Sequence, residues 1–152
     1  IKVMKKQLKD LKPVNDYVTQ NHPGLKIWEE EWLGMMCARH IIPTGTDFTA
    51  FLKKLPGGLC PTTHWGYCFK GKMKMIYGDG TIEYIGAGDI FCMPAPHNCI
   101  VEEEVDFVQF SNAKTMHGAG KLAQKLDTMK KKKKVKTKVI VKKKTKKKAK
   151  KK

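Results

Sequence analysis

Between Gly57 and Ser111 the chain is cut into short segments by Gly71, Gly78-Asp79-Gly80, Gly86-Ala87-Gly88 and Pro94-Ala95-Pro96. Each apolar segment is about strand length, and each break carries the glycine or proline chemistry that lets an antiparallel chain reverse. No strand–helix–strand alternation accompanies it. The stretch therefore predicts an all-β sandwich or barrel of six to eight strands.

The segments place the candidate chemistry. His64–Lys70 alternates Trp65, Tyr67 and Phe69 on one face with His64, Gly66, Cys68 and Lys70 on the other, as a period-two strand does. The three aromatics are expected in the core, and the small Gly66 and Cys68 are expected to leave room in the pocket that His64 faces. Lys72–Tyr77 and Thr81–Ile85 flank Gly78-Asp79-Gly80 as a hairpin, with Asp89–Met93 and Val105–Ser111 as further strands and Glu102–Glu104 as an acidic loop. His64 and His97 lie beside turns, where a rigid scaffold presents side chains to one pocket.

These residues resemble the cupins, the small double-stranded β-barrel or jelly-roll superfamily. Its first motif, G-x5-H-x-H-x3,4-E-x6-G, closes on Gly71, which puts His64 at the glutamate position. The paired histidines then fall on Gly58 and Cys60, or on Gly57 and Leu59 with the longer spacing. Its second motif, G-x5-P-x-G-x2-H-x3-N, opens on Gly88 and Pro94, carries Pro96 where glycine is usual, and is followed at once by His97. The H-W-G-Y-x-x-K-G run from His64 to Gly71 is similar to a divergent branch of small bacterial cupins. The resemblance spans about residues 33 to 111. It implies a cupin-like barrel in which the turn before His97 delivers that histidine to the cavity holding His64. It also implies a homodimer as the oligomeric state.

Charge decides what the rest of the chain does. Of the +17 net charge of the 152 residues, residues 1–120 contribute nothing, holding thirteen basic and thirteen acidic side chains, whereas 121–152 hold eighteen lysines and only Asp127. A neutral body excludes the folded domain as a basic nucleic-acid binder. The tail is different, because lysines that neutralise phosphates release counterions and give salt-sensitive, sequence-independent affinity for nucleic acid or an anionic surface; the alternative is a solubilising low-complexity end. Residues 130–152, almost pure lysine, are expected to be disordered by self-repulsion, with one weak helix over 121–129 and a fold that tolerates truncation at Gly120.

The remaining segments fill in the organisation as 1–24, a helical extension, 25–115, the barrel, and 116–152, the tail. Leu8, Leu11, Val14 and Val18 recur at three or four residues, predicting one or two short helices broken at Pro13 and packed on the barrel's outside. Ile27–Trp32, Leu33–Ile42 and Thr46–Leu55 are expected strands, giving residues 33–111 less than one turn of helix. His22, in Asn21-His22-Pro23-Gly24, is expected in solvent, and His40 as an ordinary hydrogen-bonded histidine. Five scattered cysteines, Cys37, Cys60, Cys68, Cys92 and Cys99, have no C-x-x-C spacing, so reduced thiols and a cytoplasmic location are expected. No segment reads as a membrane span or secretory signal. The chain does not open on Met, as expected of a fragment or processed chain.

A metal site needs imidazole, thiol or carboxylate donors that converge while leaving a coordination position open. The candidates are His64, His97 and Cys60, with Glu83 as a further donor, for a divalent transition metal such as zinc, iron, manganese or nickel. Without a metal, His64, His97 and Tyr67 are the candidates for fixing a small polar or anionic ligand. Three functions stay open: a small-molecule binder, a metal-dependent enzyme of oxygenase or isomerase type on a small oxygenated substrate, and a polyanion-binding protein acting through its tail. Cys60 beside His64 is also the one nucleophile–base pair close in sequence.

Overall fold

The computed structural model describes residues 4–149, with side chains through residue 142. In chain order its elements are β1 (Lys12–Pro13), α1 (Tyr17–Gln20), β2 (Lys26–Trp32), β3 (Met35–Ile42), α2 (Thr49–Leu52), β4 (His64–Tyr77), β5 (Ile82–Gly86), β6 (Ile90–Met93), β7 (His97–Asn112) and α3 (Ala113–Ala149). All strand pairs are antiparallel, in the order β1-β2-β3-β7-β4-β5, with β6 also on β4.

Two long strands organise the sheet. β4 and β7 pair along their whole length, from His64 opposite Ser111 to Tyr77 opposite His97, through register shifts between Cys68 and Met73. Gly71 sits among those shifts at φ +86°, where a Cβ would lie 2.0 Å from the Glu104 carbonyl oxygen, so only glycine permits this approach of the two strands. The sequence breaks at Gly71 and Glu102–Glu104 thus mark irregularities inside continuous strands. Glu102–Glu104 are exposed residues within β7, not a loop.

Period-two alternation on β3, β4 and β7 sends Met36, Ala38, Ile42, Cys68, Met73, Met75, Val101, Val105 and Phe107 inward as one core. On β4 the alternation is as expected, yet the aromatic face is the outer one: Trp65 and Phe69 are nearly half exposed, while Cys68 is completely buried. The core reading of Trp65, Tyr67 and Phe69 is therefore corrected. Inward positions must be small here because β4 is covered on its inner face; a Cβ on Gly66 would meet the Val108 carbonyl oxygen at 2.1 Å and the Phe91 ring at 2.5 Å. Phe91 occupies the room that Gly66 was expected to leave.

One further departure arises where apolar spacing is helical in a segment expected to be a strand. In Thr46–Leu55, Phe48, Phe51, Leu52 and Leu55 fall at intervals of three and four; the segment folds as the single turn α2, and Pro56–Gly58 adds a 3-10 turn. The span 33–111 thus holds slightly more helix than expected. The amino-terminal segment supplies less: one 3-10 turn (Leu8–Asp10), the edge pair of β1 with Trp28 and Glu29, and α1, capped by Asp16.

The helix α3 seals one end of the barrel. Ala123 is fully buried with Phe51, Leu52 and Leu55, and Ala119 packs beside them. Asp127 accepts a hydrogen bond from Tyr17 at 2.7 Å, which ties the helix to α1. Residues 121–127 therefore belong to the fold, and truncation at Gly120 removes packed structure. Beyond Met129 the described helix runs on to Ala149, since lysine is a good helix former and the segment extends a docked helix. Its side chains from Lys130 to Lys142 are all exposed, so that part adds no apolar burial. Residues 1–3 of the expected extension and 150–152 of the tail lie outside the described residues. No described helix is long and apolar enough to cross a membrane.

Candidate metal and ligand site

Three chain segments meet at the barrel end beneath α2 and α3. Cys60 precedes β4 and is tied to the first residue of β7 by a reciprocal bridge, Cys60 N–H to the His97 carbonyl at 2.7 Å and His97 N–H to the Cys60 carbonyl at 3.3 Å. His64 opens β4. The β4–β7 register places it opposite Ser111, whose hydroxyl lies 2.5 Å from His64 Nδ1. His97 follows the Pro94-Ala95-Pro96 turn, and its Nδ1–H donates to the Pro94 carbonyl at 2.9 Å. The second ring nitrogen of each histidine, Nε2, is then turned away from these anchors.

The structure brings His64, His97 and Cys60 together. The two rings lie edge to face with centroids 5.1 Å apart. The Cys60 Sγ is 3.6 Å from His64 Nε2. One donor atom from each of the three residues lies within 4.8 Å of the others. Donors held at about 2.0–2.3 Å from a tetrahedral zinc stand about 3.3–3.8 Å apart, so small side-chain rotations suffice to close the cluster around one ion.

Burial sets the charge state of all three groups. It pushes His64 down to about 3, with the nearby His97 and His40 rings adding to the effect. His97 is lowered by burial, partly opposed by its bond to the Pro94 carbonyl. The Cys60 thiol is raised by burial, opposed by contacts with Thr62. Without a cation the cluster is two neutral imidazoles and a thiol. A dication would draw out the thiolate, because it supplies the charge whose absence makes ionisation costly.

Tyr67 does not join them. It lies on the outer face of β4, 39% exposed and edge-to-face with Phe69, because odd and even residues of a strand point oppositely. Glu83 is on β5, where it accepts the Tyr77 hydroxyl at 2.5 Å, away from the cluster. His22, expected in solvent, is buried against Phe48 and Phe51, with Nδ1 2.8 Å from the Val18 carbonyl oxygen.

The cluster opens onto a cavity of about 120 Å³ whose walls are mainly apolar, among them Phe48, Phe51, Leu55, Met73 and Met93, with α3 contributing Met116 and Ala119. Among the described residues no aspartate, glutamate, lysine or arginine lines it. Two polar side chains besides the cluster do, His40 and Gln109, and both are buried. His40 is stacked on Phe107 with centroids 5.0 Å apart, and burial lowers it to about 4. Its Nδ1 has no hydrogen-bond partner, contrary to the expectation of an ordinary satisfied histidine. Sequence reasoning missed Gln109, although its place in Val105–Ser111, two residues from Phe107 and Ser111, puts it on their inward face.

No protein-family model and no curated protein sequence matches the chain. Solved structures do match in fold. Ectoine synthase from P. lautus is 12% identical over 78% of this chain and 87% of its own, with a TM-score of 0.53. An RmlC-like cupin from Shewanella frigidimarina NCIMB 400 is 16% identical over 72% of this chain and 90% of its own, with a TM-score of 0.50. Oxalate decarboxylase from Bacillus subtilis is 16% identical over 74% of this chain, with a TM-score of 0.52, and this chain spans 29% of that larger protein. The fold is the cupin jelly-roll barrel, followed in this chain by the carboxy-terminal helix α3.

Proposed function

We propose that this protein binds a small molecule in the barrel with the help of one divalent transition metal held by Cys60, His64 and His97. The observation that carries the reading is the convergence of three donor atoms from separate segments within 4.8 Å beside a mainly apolar cavity. The donor set, two imidazoles and a thiol, suits zinc best, since thiolate and imidazole together favour a borderline-soft ion in tetrahedral geometry.

The surrounding residues are arranged for that role. The Pro94 carbonyl fixes the tautomer of His97 so that Nε2 keeps its lone pair, and the Ser111 hydroxyl anchors His64 at Nδ1, which leaves its Nε2 toward Cys60. A bound metal would act as a Lewis acid toward a ligand oxygen at its open position. The apolar walls exclude water from that contact and strengthen it.

The lining favours binding over acid–base turnover, because no described carboxylate or lysine lines the cavity and burial leaves His40 and His64 very weak bases. Calorimetric titration of the full chain with zinc tests the metal half of the reading. One zinc per chain is expected, weakened at least about tenfold in both Cys60→Ser and His97→Ala, as for a lost ligand. Equal zinc affinity in the wild type and both variants would overturn it.

A further inference from the structure

The cavity also limits which molecule it accepts. Its volume, about 120 Å³, is somewhat below the roughly 150 Å³ at which an apolar protein cavity stays dry and accepts benzene. Its walls carry no fixed charge, so an anion would rely entirely on the metal, and a polyhydroxylated molecule would leave most of its hydroxyls unpaired against Phe, Leu and Met.

One wall departs from this apolar character. His40 projects inward from β3 opposite Phe107, is 5% exposed, and leaves Nδ1 unpartnered. Buried polar atoms are normally satisfied; His40 lines this cavity and also the wider cleft bordered by Asp16, Glu29 and His117, and its enclosed Nδ1 lacks the partner that a ligand oxygen beside the ring would supply. The flat stack on Phe107 holds the ring in place, and Gln109 extends the same polar strip along β7.

We infer that the cavity takes a neutral, largely apolar molecule of about five or six heavy atoms, with one hydroxyl or carbonyl group hydrogen-bonded at His40. This deepens the small-molecule half of the proposed function and rests on that half alone, not on the metal. His40 is then the residue that selects an oxygenated ligand over a hydrocarbon of the same shape, because it is left unsatisfied by the latter.

Full-length protein with ¹³C-methyl methionine provides the assay, since Met73, Met93 and Met116 line the cavity. Cyclopentanol, cyclopentane, butyrate and erythritol are titrated into metal-free and zinc-loaded samples. Cyclopentanol is expected to shift these methyls in both samples and to bind at least about fivefold tighter than cyclopentane, one net hydrogen bond's worth. His40→Phe should abolish that preference and still admit cyclopentane. Ala119→Leu, which fills the cavity from α3, should remove binding of both and leave zinc affinity intact. A preference that survives in His40→Phe, or tighter binding of butyrate or erythritol to metal-free protein, overturns the inference. Cyclopentanol binding in a protein that fails to hold zinc would sink the metal reading and leave this one standing.

Discussion

Mild acid should destabilise the metal-free protein through its buried histidines before most of its carboxylates titrate. His40 moves from an ordinary 6.5 to about 4 on folding, and His64 from 6.5 to about 3. Both native rings stay neutral while the unfolded chain takes up protons, so stability is complete above pH 6.5 and is lost as pH falls toward the native values. Integrating the proton uptake, each ring costs about 2 kcal/mol by pH 5, and the pair roughly 4 kcal/mol. That is a large share of the ~5–15 kcal/mol of a typical domain. His97, lowered in the same direction, adds to it. The lowered carboxyls of Glu30, Asp47, Asp79 and Asp127 lose their contribution as pH falls through their unfolded values of 4.5 and 3.8, mostly below this window. Urea unfolding at pH 7 and pH 5, followed by tryptophan fluorescence, measures the difference. His40→Phe keeps a ring against Phe107 and should recover about half of the acid loss. An equal loss in His40→Phe, or no loss in the wild type, would refute the claim that these rings are held neutral by burial.

Other outcomes follow from the packing. Gly66→Ala places a Cβ against the Val108 carbonyl at 2.1 Å, and should lower stability by about 1–3 kcal/mol or more in urea melts while loosening the strand that carries His64. A chain ending at Met129 should melt within a few degrees of the full chain, whereas one ending at Gly120 should melt well below both, because it lacks Ala123 and Asp127; equal melting of the two truncations would contradict the docking of α3. Retention on heparin should fall sharply with salt for the full chain and nearly vanish for the chain ending at Met129, since most of the lysine excess lies beyond that point. Equal retention would exclude the tail as the polyanion contact.

How far the molecule was legible in its sequence depends on whether the signal was local. Strand alternation, the Gly78-Asp79-Gly80 turn and the Pro94-Ala95-Pro96 approach to His97 are local, and they indicated a barrel with His64 and His97 at one end. Which face of β4 is inside was not local: the sequence shows Trp65, Tyr67 and Phe69 as the apolar face, but β6 and β7 pack around the other one. That inversion misplaced Tyr67 as a ligand residue. His22 was read from its turn, whereas its burial comes from Phe48 and Phe51, more than twenty residues away. The docking of α3 was readable in principle, since Met116, Ala119 and Ala123 fall at helical spacing, yet the lysines that follow obscured it. The orphan nitrogen of His40 has no sequence signature, because satisfaction is a property of neighbours.

Cobalt substitution tests the Cys60–His64–His97 centre most directly, because Co(II) reports both ligand type and geometry. Wild-type protein loaded with Co(II) and dialysed should retain one ion per chain, with the intense visible absorption of a tetrahedral site and a near-ultraviolet thiolate-to-metal band. That band should disappear in Cys60→Ser. A dialysed protein without cobalt, or a thiolate band unchanged in Cys60→Ser, would contradict the account.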